Sequence, residues 1–223
     1  MKKTYLLLLS FLFVNVLFGQ MDKEEILVEE TTTTSTSYLK ANDLETFKNQ
    51  FDEWSVGNLH LYGRGENTTD YDYYFTGKKV SPYFQQYFPN NLKKSLVQDG
   101  NEPHHVALIR GHQLDDYYII RIKDEQQRDK LIMYNLRNEQ LNPKKDLAYF
   151  YEKNGKTYQL DSWIQDINGD TRLDIIQKKR VTDANGNVKK QKTKVFFQTK
   201  NGKFKRTRRA NIQEDNYKIK DIK

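Results

Sequence analysis

Asp166, Asn168, Asp170 and Asp174 place oxygen side chains at positions 1, 3, 5 and 9 of one short stretch, Asp166-Ile167-Asn168-Gly169-Asp170-Thr171-Arg172-Leu173-Asp174. This is chemistry for a hard cation. Ca²⁺ takes about six to eight oxygens at roughly 2.3–2.6 Å. In a tight loop alternate side chains converge, so Asp166, Asn168 and Asp170 can point to one centre. The backbone carbonyl of Arg172 would fill position 7, and Asp174 would close the cage. Gly169 permits the sharp bend. Carboxylates this close repel one another unless a cation sits between them. The alternative is a polar turn whose acids cap backbone N–H groups.

The stretch is not an EF-hand. That loop needs Gly at position 6 and Glu at position 12, where this chain has Thr171 and Gln177. It resembles instead the calcium loop of FG-GAP/VCBS-type repeats, Asp-x-Asn-Gly-Asp-Gly-x-x-Asp before an apolar strand. Asp166, Asn168, Gly169, Asp170 and Asp174 match, as does the strand Leu173-Asp174-Ile175-Ile176; Thr171 departs from the usual Gly. The resemblance covers about thirty residues and occurs once, so it implies a structural Ca²⁺ without importing the family's propeller. Nothing nearby supplies a nucleophile.

Other residues carry weaker signals. From Lys178 to Arg209 the chain has thirteen Lys and Arg against one acid, Asp183. Lys190, Lys192 and Lys194 alternate and would share a strand face. The favoured reading is a solvated face guarding sheet edges; the alternative is a surface for an anionic glycan or lipid headgroup. Aromatics that would stack bases are sparse there, and nucleic acid is disfavoured for an exported chain. His104, His105 and His112 match no zinc signature, and adjacent histidines on a strand point to opposite faces. The aromatic run between Tyr71 and Phe88 reads as cover for a sheet, with a carbohydrate platform as its alternative. No phosphate loop, Gly-x-Ser-x-Gly elbow or His-Glu-x-x-His occurs.

The elements that must position these groups read mainly as β. Runs rich in Val, Ile, Tyr and Phe recur from residue 106 to 207, separated by turn residues that include Asn154-Gly155 and Asn201-Gly202. Asn-Gly between such runs is a strong hairpin signal. The spacing predicts an antiparallel meander, sandwich or partial propeller-like sheet. One N-terminal amphipathic helix is expected over 42–54, capped by Asn42 with Glu45, its face formed by Leu44, Phe47, Phe51 and Trp54.

Composition bounds the rest. Lys2 and Lys3 precede an apolar run ending at Gly19-Gln20, which reads as a signal peptide over 1–20. The run is short for a membrane span, so no transmembrane segment is expected after cleavage. Residues 21–37 form a Glu/Thr-rich linker with little to bury. Residues 38–223 form one β-rich domain. The 223-residue chain has no cysteine and a net charge of +7, which excludes disulfides, thiolate metal sites and a cysteine nucleophile. Together these predict a secreted or periplasmic, calcium-stabilised binding or interaction protein, its partner a glycan or an envelope protein. The rivals are a secreted hydrolase of polysaccharide or peptide and a structural cell-envelope protein.

Overall fold

The computed structural model describes residues 43–63, 77–99, 102–111, 116–123, 129–208 and 210–221. Residues 1–48 and 49–223 form separate compact units, and 43–48, a helical segment, is all that is described of the first. The predicted signal peptide, the linker, Tyr71–Phe75 and His112 lie outside the described residues. No described helix is long and apolar enough to cross a membrane.

Residues 49–223 build one mainly antiparallel sheet, open rather than closed into a barrel. Its strands are β1 (Glu53–Trp54), β2 (Leu59–Leu61), β3 (Lys78–Lys79), β4 (His104–Arg110), β5 (Asp116–Lys123), β6 (Asp129–Arg137), β7 (Gln140–Lys153), β8 (Lys156–Gln165), β9 (Asp174–Asp183), β10 (Val188–Gln198) and β11 (Phe204–Thr207). From β4 to β11 each strand pairs with the next in sequence, the predicted meander. Asn154 and Gly155 both take positive φ (53° and 64°), as the predicted β7–β8 hairpin requires. A 3-10 turn (Pro82–Tyr87) and a helix (Asn90–Asp99) lie between β3 and β4.

The helix expected over 42–54 is cut short. It ends by residue 48, a turn occupies 49 and 50, and Glu53–Trp54 pair in parallel with Leu108–Ile109. The Leu108 N–H donates to the Asp52 carbonyl at 2.8 Å. Phe51 packs instead against His105 and Tyr118, and Trp54 against the main core. A short helix is marginal by itself, whereas the sheet edge offers backbone partners and apolar surface together.

That core takes Ile109, Ile119, Met133, Leu147, Ile164 and Ile175 from six successive strands. Burying each such side chain contributes roughly 1.5–3 kcal/mol. One core can draw on so many strands only because the sheet curls. β5 and β10 are five strand steps apart, about 24 Å in a flat sheet, yet Gln198 on β10 meets Tyr117 on β5. The curl is accommodated where β8 exchanges neighbours. β7 pairs with β8 up to Leu160, and β2 takes over at Ser162–Ile164. Gly63, just beyond β2, lies so close to β7 that a Cβ there would collide with the Tyr149 carbonyl carbon.

The opposite face of β8, β9 and β10 carries Trp163, Ile176 and Val195. The C-terminal segment covers them with Ala210, Ile212, Tyr217 and Ile219.

Candidate functional site

The Asp166–Asp174 stretch is the tip of the β8–β9 hairpin, bounded by the Gln165–Asp174 pair. The Asp166 carboxylate folds the tip around itself. Its Oδ1 accepts the N–H groups of Gly169 (2.8 Å) and Asp170 (3.1 Å), and its Oδ2 that of Thr171 (2.8 Å). Asn168 Oδ1 accepts the Asp170 N–H at 3.0 Å. Arg172 enters in an unexpected way: its guanidinium donates to Asp170 Oδ2 at 2.6 Å and its N–H to Oδ1 at 3.0 Å. Gly169 and Thr171 both have positive φ, 76° and 63°. Thr171 therefore holds a left-handed conformation at the position where the resembled repeat has Gly, a strained choice for a β-branched residue.

Asp174 is fully buried. Its Oδ2 accepts the Ile167 N–H at 3.1 Å, and its Oδ1 accepts the Gln198 N–H of β10 at 3.1 Å. The Gln198 side chain extends this network, accepting from the Leu173 N–H at 3.0 Å and donating to the Tyr117 hydroxyl. Burial raises the Asp174 pKa above the usual carboxylate range; the two N–H groups oppose this, and repulsion from Asp170 and Asp166 adds to it.

The five sequence-selected residues thus share one turn, with Asp174 on its buried side. Among the described residues no three His, Asp or Glu side chains are grouped to hold a metal ion. The donor types suit calcium; to bring them onto one ion, Asp170 must first release Arg172. No protein-family model, curated protein or solved structure matches this chain.

Sequence reasoning missed a second polar centre. His60 Nε2 and Asp161 Oδ2 lie 2.9 Å apart, and the His60 ring stacks on Trp163 at 4.3 Å with planes 9° apart. Asp161 also accepts from the Lys220 N–H (2.8 Å) and from Gln159 Nε2 (3.0 Å). The Ser162 hydroxyl, on the other side of β8, donates to the Leu147 carbonyl. The pair therefore clamps the C-terminal segment onto the sheet, and the neighbouring Ser162 hydroxyl is turned away from it. Its members are separated by 101 residues, and no local motif announces them.

The histidine pair on β4 has a structural environment. His105 is buried against Phe51, ring centroids 4.5 Å apart. Burial, with His104 and Lys78 nearby, lowers its pKa to about 4. Of the expected basic face, Lys190, Lys192 and Lys194 do project to one side of β10, opposite Val181, Lys179 and Gln177 of β9.

Proposed function

We propose that this chain is an exported binding or interaction protein whose β8–β9 hairpin tip is stabilised by Ca²⁺. The observation that carries the reading is Asp174. It is a fully buried carboxylate at the base of a turn that holds two further carboxylates, Asp166 and Asp170. A cation entering that turn would relieve the repulsion and fix β8 against β9. Asp166, Asn168, Asp170, the Arg172 carbonyl and Asp174 would be its ligands, and their role is structural.

Calorimetric titration of chelator-stripped protein with CaCl₂ tests this. Saturable heat and a higher melting temperature are expected, both abolished by Asp170→Ala. Absence of heat from divalent ions removes calcium from the proposal.

The hydrolase reading has the His60–Asp161 pair in its favour. The structural donors that already hold Asp161, Gln159 Nε2 and the Lys220 N–H, and the Ser162 hydroxyl committed to the Leu147 carbonyl, make a binding role the better reading.

A further inference from the structure

The face of β7–β11 that continues beyond the main core carries a cluster of cations. Strand register lays it out in rows across the sheet. One row runs Tyr151, Tyr158, Val181, Lys190; the next runs Tyr149, Leu160, Lys179, Lys192; a third holds Ser162, Gln177 and Lys194. Phe196 and Arg206 follow, paired across β10 and β11. Lys145 reaches into the cluster from β7, its Nζ 3.1 Å from the centre of the Phe196 ring. Tyrosines thus line the β7–β8 side and cations the β9–β10 side of one continuous surface.

Edge protection explains only part of this. Lys190, Lys192 and Lys194 lie on the stretch of β10 that β11 does not reach, and lysine there blocks pairing with another chain. Lys145 and Lys179 stand on central strands and guard no edge. Among the described residues none of Lys145, Lys179, Lys192, Lys194 and Arg206 forms an ion pair. The clustering disfavours the charged forms. Burial first, then Lys194 and Lys179, lower the Lys145 pKa to about 8, with Asp146 opposing. Lys194 is lowered too, by desolvation and then by Lys179, Arg206 and Lys192. Partly desolvated like charges raise the energy of the free protein, and an anion laid among them removes that cost.

We infer that this face binds a linear acidic polysaccharide, its carboxylates or sulfates among Lys145, Lys179, Lys192, Lys194 and Arg206 and its sugar rings along Tyr149, Tyr151 and Tyr158. Nucleic acid fits less well. Tyr151 and Tyr158 lie ring on ring, 5.0 Å apart and 7° from parallel, so each covers a face of the other and no slot for a base opens between them. The export signal read from the sequence points the same way. This inference rests on the binding reading above and names its ligand class; it is independent of calcium.

The test is affinity of the purified full chain for polygalacturonate and heparin, measured with EGTA and again with Ca²⁺. Neutral dextran and single-stranded DNA of matched charge serve as competitors. Lys145→Gln with Lys179→Gln should weaken binding about tenfold or more, while the charge-matched pair Lys218→Gln with Lys220→Gln, on the C-terminal segment that covers the opposite face of the sheet, should change it less than about twofold. Lys192→Gln with Lys194→Gln, on the exposed edge, gives the same readout if the first pair fails to fold. Equal losses from the pairs on the two faces, or no binding, overturn the inference. Tighter binding of DNA overturns the ligand class. Retention by neutral dextran alone leaves a binding protein and removes the anionic assignment. Polyanion binding that persists in EGTA, with no calcium heat, separates failure of the calcium site from failure of this one.

Discussion

The Gln198 side-chain amide of β10 donates to the Tyr117 hydroxyl of β5 across 2.5 Å, joining strands separated by four others in the sheet. Tyr117 in turn donates to the Gly202 carbonyl, and Gln198 Oε1 holds the Leu173 N–H. The main-chain N–H of the same Gln198 holds Asp174. One residue therefore ties the sheet's curl to the acidic hairpin tip. Gln198→Leu leaves the buried Leu173 N–H without its acceptor and removes a donor from Tyr117. A loss of roughly 2–4 kcal/mol is expected, read as a lower urea midpoint with an unchanged slope. A loss under about 0.5 kcal/mol would mean that the curl does not depend on this network.

Thr171 has φ of 63° and an exposed side chain. The left-handed region costs a β-branched residue roughly 1–2 kcal/mol. Glycine removes that strain but adds about 0.5–1 kcal/mol of unfolded-state entropy. Thr171→Gly should therefore stabilise the protein by up to about 1 kcal/mol and, with calcium present, tighten its binding. A lower melting temperature would place the strain elsewhere.

His105 sets a pH dependence. Its folded pKa of about 4 lies below the ordinary value of 6.5, chiefly through burial. The unfolded chain therefore takes up a proton that the folded chain refuses between these values. Stability from this group is full above about pH 6.5 and is lost as pH falls toward 4, on the order of 3 kcal/mol across the window. His104, also lowered by burial, adds in the same direction. His105→Phe, which keeps a ring against Phe51, should flatten that part of the stability–pH curve. An identical slope in the variant would assign the acid sensitivity to carboxylates.

Much of the meander was legible because strand formation leaves local marks. The apolar run around Ile119 and Ile120, the one around Ile132 and Met133, and the Asn154-Gly155 turn each state their own conformation. The β6–β7 turn was not legible. Asn138 and Glu139 both take positive φ without a glycine to announce it, and Pro143 lies inside β7 beside a register shift, where the missing N–H is tolerated. The helix over 42–54 was misread in its second half. Phe51 and Trp54 have helical spacing, and their contacts with β4 and its neighbours lie more than fifty residues away in sequence.

The sequence by itself determined the β class, the Asn154-Gly155 hairpin turn and the placing of Asp166, Asn168, Asp170, Arg172 and Asp174 in one turn, since each depends on side-chain alternation or on residues within nine positions of one another. Only the tertiary structure decided that Asp174 is buried against Gln198, that His60 meets Asp161, and that Lys145 joins Lys179 and Lys194. Those relationships arise from the curl and the strand order. Both follow from packing summed over the whole sheet, and no short window of residues contains that sum.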